Sequence, residues 1–281
     1  MTLNASVNVR PRRPLVAGLL SVLCIGLGQL YNGQAAKGMA LLALGPSLYG
    51  AAAWSGLLDD FSGLSLVIAA LLCIFVYAFT DAYQEARKQQ TYRLRRYNRW
   101  YVYSLWYGLL LFVLAPGFGA IVPVKSYRIP TGSMEPTVQV NDHILVRLNA
   151  YSREGPRRGD IIAYRFPMYP EREFLHRVVG LPGERIRLQG KKVFVDDVPL
   201  DEPYVFFSDP RAPDVEQDSR RNYMAEQRIP EDHYFTLGDN RDNAHDSRFW
   251  GYLPAELIRG EALYVYWSPN LSRIGTAFRD R

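Results

Sequence analysis

Residues 127–137 read Tyr-Arg-Ile-Pro-Thr-Gly-Ser-Met-Glu-Pro-Thr, and the chain changes character at this stretch. Long apolar runs dominate the part that precedes it, whereas charged residues and short runs rich in β-branched and aromatic residues follow it. Long uncharged runs are typical of membrane helices, and short alternating runs bounded by turn residues are typical of strands. The sequence therefore predicts a membrane α-helical anchor followed by an all-β domain.

The predicted anchor, residues 1–125, contains about four apolar segments. Each of them approaches or exceeds the roughly 20 residues that a helix needs to cross about 30 Å of hydrocarbon. They lie at residues 14–36, 38–58, 61–80 and 100–124. Because three more apolar segments follow the first, we do not interpret the first as a cleavable signal peptide.

Basic residues flank these segments and predict their orientation. The loop 83–99 is rich in Arg and Lys, which favours the cytoplasmic side, so the chain after Lys125 would lie on the outer face. Four full spans would then place Arg10, Arg12 and Arg13 outside, against the same rule. Either that rule fails at the N-terminus, or segment 14–36 is re-entrant or interfacial.

Composition argues against several kinds of site. The net charge is +5, and much of it lies in the clusters beside apolar runs, which indicates membrane topology more than nucleic-acid binding. Cys24 and Cys73 both fall inside apolar runs, so we expect neither a structural disulfide nor a thiolate metal site. The four histidines show no metal-ligand spacing. We therefore predict no metal, no other cofactor and no nucleic-acid partner.

The second part, residues 126–281, predicts strands and turns. Strands are expected at 161–166, 174–179 and 261–267, and a hairpin at 185–198 around Gly190. The polar stretch 201–232 holds several prolines and charges, and we predict that it is an insertion loop.

Ser133 is the candidate nucleophile of this part. Pro130 and Pro136 stiffen the edges of its segment, and Gly132 permits a close backbone approach. Such a turn presents the hydroxyl of Ser133, and its backbone N–H is available to a developing oxyanion. Taken alone, a serine between Pro and Gly is more typical of a surface loop.

The segment 127–137 resembles the nucleophile box of type I signal peptidases (leader peptidases), Pro-Ser-Gly-Ser-Met-x-Pro-Thr. Three further blocks are similar to the same family in the same order: Arg-Gly-Asp-Ile-Ile at 158–162, Leu-His-Arg-Val-Val-Gly-Leu-Pro-Gly-Glu at 175–184, and Gly-Asp-Asn-Arg-Asp-Asn-Ala-His-Asp-Ser-Arg-Phe-Trp-Gly at 238–251. The resemblance implies a signal-peptidase-like β-barrel or sandwich at the outer membrane surface. It also implies removal of signal peptides from exported pre-proteins after small residues, commonly Ala-x-Ala.

The resemblance also implies roles for single residues. Ser133 takes the nucleophile position, and Thr131 takes the position of a hydroxyl residue that assists the oxyanion hole. Met134 is placed in the binding cleft, although ordinary packing would explain it equally well. Charged residues that brace the site are expected at Arg177, Asp239, Arg241, Asp246 and Arg248.

Two positions depart from the common bacterial pattern. His176 stands where the family usually has its general-base lysine, and Ala244 replaces the serine that hydrogen-bonds that lysine. The endoplasmic-reticulum and archaeal branch of the family is similar in placing histidine there. A histidine has an unperturbed pKa near 6.5 and is the commonest base for activating serine. We therefore predict a Ser133–His176 pair.

A third group should orient the imidazole ring. Asp246 is the first candidate and Asp239 the second. His245 is a weaker rival for the role of base, because an exposed side chain is expected at that position.

Two alternatives stay open at this point. A catalytically inactive relative would act as a membrane-bound binding protein, and a specialised peptidase would mature one client. The expected partners are signal-peptide-bearing pre-proteins and the lipid bilayer. The expected location is the bacterial inner membrane, with the catalytic domain on the periplasmic face.

Overall fold

The computed structural model describes residues 9–93, 97–113, 122–208 and 219–278. The chain forms two compact units, Met1–Val122 and Pro123–Arg281. The division lies close to the change of composition near residue 125.

The first unit is helical. Its helices are α1 (Pro14–Leu23), α2 (Leu27–Tyr31), α3 (Ala35–Ser55), α4 (Phe61–Lys88) and α5 (Trp100–Val113), and the short strands β1 (Val9–Arg10) and β2 (Tyr92–Arg93) pair antiparallel.

Segment 14–36 is not one continuous helix. Helix α1 ends where Cys24 adopts an extended conformation, and Gly26 then takes a left-handed one with φ of 92°. A Cβ on Gly26 would lie 2.3 Å from the backbone oxygen of Gly38, so the chain turns back at very close range. The segment is therefore divided into two helices, because the glycines permit this tight reversal.

Helix α4 is longer than its predicted apolar segment 61–80. It continues to Lys88 and so takes in the first part of the predicted loop 83–99. The small residues Ala78, Ala82 and Ala86 recur every four positions and are all buried, which extends the packed face of the helix beyond its apolar run. Among the described residues, α4 alone is long and apolar enough to cross a membrane. Residues 114–121 of the fourth predicted segment lie outside the described residues.

Polar side chains attach the glycine-rich reversal to α4. The side-chain amide of Gln29 donates to the carbonyl of Ala78 at 2.8 Å, and that of Asn32 donates to the carbonyl of Ala82 at 2.7 Å. Lys37 forms an ion pair with Asp81 at 2.6 Å. In an apolar surrounding such bonds satisfy groups that would otherwise be costly to bury.

The second unit is built on two antiparallel sheets. The larger one has the order β12-β11-β6-β5-β13-β4-β3, with β3 (Val124–Arg128), β4 (His143–Leu148), β5 (Ile161–Phe166), β6 (Tyr169–Gly180), β11 (His233–Leu237), β12 (Leu253–Pro254) and β13 (Ile258–Trp267). The smaller one has the order β10-β7-β8-β9, with β7 (Arg185–Gln189), β8 (Lys192–Val195), β9 (Val198–Pro199) and β10 (Tyr223–Arg228). The four-residue helices α6 (Ser219–Asn222) and α7 (Ser247–Trp250) complete the unit.

All the predicted strands are confirmed, whereas the predicted insertion loop is partly a strand. Strand β5 has the expected bounds, and β7 and β8 form the expected hairpin. The predicted insertion 201–232 contains a strand, since β10 pairs with β7. Five of the six residues of β10 are exposed, so the strand has no alternating apolar signal and is held by main-chain pairing.

Strands β5 and β6 separate two apolar clusters. Ile161 and Ala163 pack on one face with Met134, whereas Ile162 and Tyr164 pack on the other face with Val178. Alternation along each strand places successive side chains on opposite faces. In the pairing of the two strands, Ile162 lies opposite His176.

Candidate active site

The turn that carries Ser133 is fixed to the core at both ends. At its start, the Ile129 N–H donates to the carbonyl of Asp142 at 2.9 Å. Beyond it, the Val138 N–H donates to the carbonyl of Met134 at 2.9 Å. Met134 is buried in the apolar cluster that it shares with Ile129 and Val138, while Ser133 itself is half-buried. The core thus holds Ser133 on a rigid turn.

The C-terminal block 238–251 supports the same turn from behind. The Asn240 N–H donates to the carbonyl of Ser133 at 3.1 Å, and the Asn240 side-chain amide donates to the carbonyl of Gly132 at 3.2 Å. A Cβ on Gly238 would lie 2.5 Å from the carbonyl oxygen of Ser133 and 2.3 Å from the Cβ of Ala244. A glycine is therefore required at position 238 for this approach.

Asp239 is the centre of a buried charge network. Its carboxylate accepts hydrogen bonds from Arg177 Nε at 2.9 Å, from Arg177 Nη2 at 2.7 Å and from Thr137 Oγ1 at 2.6 Å. Arg177 and Asp239 are both fully buried, and the guanidinium lies 3.9 Å from the ring centre of Tyr204. These contacts join three of the blocks that carry the resemblance, 127–137, 175–184 and 238–251.

Asp246 is the centre of a second buried network. It accepts from Arg248 Nε and Arg248 Nη2, each at 2.8 Å, and from the Gly238 N–H at 3.1 Å. It also caps α7 through the Arg248 N–H. Arg241 pairs with Glu202 close by. The charged residues named from the resemblance thus pair with one another or with nearby loops.

His176 is 2 % exposed and its Nδ1 lies 2.7 Å from the hydroxyl oxygen of Tyr164. Burial lowers the pKa of His176 to about 4, although the charges of Asp246 and Asp239 act in the opposite direction. The hydrogen bonds of the two carboxylates go to Arg248, Gly238, Arg177 and Thr137.

The ring of His176 is therefore bonded to Tyr164, a residue that the sequence argument did not name. The available signal was the strand pattern. Tyr164 lies two residues beyond Ile162, which pairs with His176, so Tyr164 and His176 lie on the same face of the sheet.

One cavity of about 310 Å³ brings the predicted residues together. Ser133, His176, Thr131 and Met134 all line it, and its walls are otherwise largely apolar, with Ile129, Ile144, Ala163, Phe174 and Leu175. Thr131 is exposed. Met134 is buried in the core and also lines the cavity, so it packs in the core and is available to the binding cleft at the same time.

His245 also lines this cavity. It is exposed, as expected, and its ring stacks on Phe249 with the ring centres 5.3 Å apart. A larger cleft of about 720 Å³ lies elsewhere, lined by Tyr151, Arg158 and Asp160 among others, and contains neither Ser133 nor His176. Among the described residues, no group of three His, Cys, Asp or Glu side chains is placed to hold a metal ion.

Comparison with known proteins gives the family. The model of the family described as signal peptidase, peptidase S26, matches residues 100–267, which is more than half of the chain. The chain belongs to this family.

Three relatives show how far the similarity extends. Signal peptidase I of Leptolyngbya laminosa is 37% identical over 166 residues, covering 56% of this chain and 75% of the relative. The probable signal peptidase I-2 of Synechocystis sp. is 33% identical over 173 residues, covering 60% and 73%. Signal peptidase I of Pseudomonas fluorescens is 32% identical over 202 residues, covering 54% and 71%. All four blocks that carry the resemblance lie inside the region that the peptidase S26 model matches.

Proposed function

We propose that this member of the peptidase S26 family is a membrane-anchored serine endopeptidase that removes N-terminal signal peptides from exported pre-proteins. Ser133 would be its nucleophile and His176 its general base. The single observation that carries the proposal is the cavity that both residues line, inside a domain of the signal peptidase family. The comparisons give no support to a catalytically inactive relative.

The chemistry follows from these two side chains. His176 Nε2 takes the proton of the Ser133 hydroxyl while Oγ forms a bond to the scissile carbonyl carbon. The carbonyl oxygen becomes an oxyanion, which the Ser133 N–H and the Thr131 hydroxyl stabilise. The C–N bond then breaks and His176 returns the proton to the leaving amine. Water hydrolyses the acyl-serine ester by the same proton route, which restores both residues.

The protonation state of His176 supports its role as the base. With its pKa lowered to about 4, the ring is neutral at pH 7 and carries a lone pair. A lysine in the same place would be neutral at pH 7 only if burial lowered its pKa by several units. The histidine therefore requires no partner such as the serine that Ala244 replaces.

The cavity walls support binding of apolar side chains. The cavity has a volume of about 310 Å³, and Ile129, Ile144 and Ala163 are among its walls. Apolar walls of this kind bind the apolar side chains of an extended peptide. Cleavage after an Ala-x-Ala sequence is the specificity that the family resemblance implies.

The location is part of the proposal. Helix α4 supports a membrane anchor, and the basic residues Arg87 and Lys88 at its end favour the cytoplasmic side for that end. The catalytic domain would then act on the outer, periplasmic face of a bacterial inner membrane, where signal peptides emerge.

Cleavage of a model pre-protein with an Ala-x-Ala site, in detergent or vesicles, tests the proposal. We expect the wild type to cleave, and Ser133→Ala and His176→Ala to lose at least about 10³-fold in rate while remaining folded. Ser152→Ala and His233→Ala are matched controls outside the cavity, and both should cleave like the wild type. Full activity of Ser133→Ala would overturn the proposal, as would a wild type that does not cleave.

A further inference from the structure

We propose that Tyr164 is the positioning residue of this site and that its hydroxyl holds the ring of His176 in the orientation in which it acts as a base. This inference rests on the proposed Ser133–His176 pair. It gives the tyrosine hydroxyl the place that a carboxylate occupies in Ser-His-Asp sites.

Strand register places the two rings together. Ile162 lies opposite His176 and Tyr164 lies opposite Phe174, so Tyr164 and His176 are diagonal neighbours on one face of the β5–β6 pair. Tyr164 is fully buried and His176 is 2 % exposed. Their contact of 2.7 Å is therefore sealed from water, and each polar atom depends on the other.

Packing also holds the tyrosine ring in place. The ring centre of Tyr164 lies 6.2 Å from that of Phe174 and 5.9 Å from that of Trp250. A hydroxyl on a ring fixed in this way is a preorganised partner for the imidazole, since its position does not have to be found during catalysis.

The direction of the hydrogen bond decides the chemistry. If Nδ1–H donates to the tyrosine oxygen, Nε2 carries the lone pair and is able to accept the proton of Ser133. If the tyrosine donates to Nδ1, then Nε2 carries a proton and cannot act as the base. The proposed Ser133–His176 pair therefore requires the first arrangement, in which the Tyr164 oxygen accepts from Nδ1–H.

Tyr164 is a neutral partner. Burial raises the pKa of its phenol well above 10, so the hydroxyl keeps its proton.

A neutral partner has an electrostatic consequence. A carboxylate bonded to Nδ1 would stabilise the imidazolium directly, whereas the hydroxyl orients the ring without adding a charge. The ionised groups that act on His176 do so from neighbouring elements: Asp246 and Asp239 raise its pKa, whereas Arg248 and His245 lower it. Tyr164 thus determines the orientation of the His176 ring, and the surrounding charges adjust the pKa of that ring.

Tyr164→Phe tests the inference, because it keeps the ring and removes the hydroxyl. General-base catalysis contributes about 10²–10⁴-fold, and we expect this variant to lose part of it: kcat should fall about ten- to a hundredfold, with KM unchanged. The ¹⁵N shifts of labelled His176 should move from the Nδ1–H tautomer towards a mixture. The pKa of His176 should fall further, because the oxygen that stabilises its protonated form is gone.

Tyr234→Phe is the matched control, since Tyr234 belongs to the same apolar cluster as Tyr164. It should leave kcat, the ¹⁵N shifts and the pKa of His176 unchanged. A wild-type kcat in Tyr164→Phe would overturn the inference, and so would a rise in the pKa of His176, which would mean that the tyrosine donates. Neither result would contradict the proposed Ser133–His176 pair, because the loss of cleavage in Ser133→Ala tests that pair separately.

Discussion

At the residue scale, the His176 side chain is both buried and placed at the wall of the cavity. The ring is buried among Tyr164, Phe174 and the apolar residues of its strand, and it lines the cavity that contains Ser133. Burial disfavours the charged form, so the ring is neutral over most of the pH range in which proteins function. The same burial makes the ring a weak base whose value for catalysis depends on orientation more than on basicity.

The pH dependence of cleavage should follow from this residue. A group with a lowered pKa becomes neutral at a lower pH than usual, so the acid limb of kcat/KM should lie near pH 4 and the rate should be flat from about pH 5 upwards. In His176→Lys the base is the neutral amine, and burial that lowers the pKa of a lysine by about 3–5 units still leaves it above about 5. We expect its acid limb to move to higher pH by about one to three units.

Profiles of kcat/KM for the wild type, His176→Lys and His176→Lys/Ala244→Ser would measure this shift. The double variant restores the serine that the resemblance places beside a lysine base, and it should be more active than the single variant at alkaline pH. An acid limb that does not move when histidine becomes lysine would contradict the assignment of His176.

At the scale of the elements, the site is assembled from strands that are far apart in the sequence. Strand β6 carries both His176 and Arg177, and alternation sends their side chains to opposite faces. Arg177 reaches Asp239 in the block after β11, and Asn240 of that block holds the Ser133 turn. The Arg177–Asp239 pair therefore connects the strand that carries His176 to the turn that carries Ser133.

Breaking this pair should damage the whole domain. Asp239→Asn removes the partner of a fully buried guanidinium, and a charge stranded in this way costs about 3–5 kcal/mol of the free energy of unfolding. We expect a lower midpoint in denaturant and a loss of activity beyond what the stability change explains, because the Ser133 turn moves with the block.

Glu154→Gln is the matched control for this change. It breaks the Arg157–Glu154 pair, whose side chains are 81% and 79% exposed, and exposed pairs contribute little. Unfolding curves followed by fluorescence would compare the two variants. Equal stability of Asp239→Asn and the wild type would show that the buried pair does not join the blocks.

At the scale of the whole molecule, the chain combines a helical unit and a β unit with different surroundings. Large apolar side chains of α4, such as Leu66, Leu72 and Val76, are exposed, as expected of a helix that faces lipid. The cavity that Ser133 and His176 line belongs entirely to the second unit.

Membrane retention should depend on the exposed face of α4. Leu72→Arg places a charge in the centre of the predicted span, which costs about 2.5–3.5 kcal/mol on insertion scales. We expect this variant to be recovered less completely in the membrane fraction after a carbonate wash. Gln84→Arg is the matched control in the charged final part of the same helix, and it should be retained like the wild type. Equal retention of the two variants would contradict a spanning α4.

The sequence by itself determined the division into a helical and a β part, the bounds of strand β5, the family and the candidate pair Ser133 and His176. These properties are local. The hydropathy of a segment follows from its composition, the alternation of apolar and polar residues follows from the geometry of a strand, and the order of the four blocks is read along the chain. The sheet order that brings the four blocks together is not local, yet the family resemblance implies the domain that contains it.

Only the tertiary structure decided the partner of His176. Two carboxylates were candidates, and both are engaged by arginines, whereas the ring bonds to Tyr164. The reversal at Gly26 and the pairing of β10 were likewise decided by contacts between distant residues. The physical reason is the same in each case: a hydrogen bond joins groups that packing and strand register bring within about 3 Å, and one sequence does not specify that register.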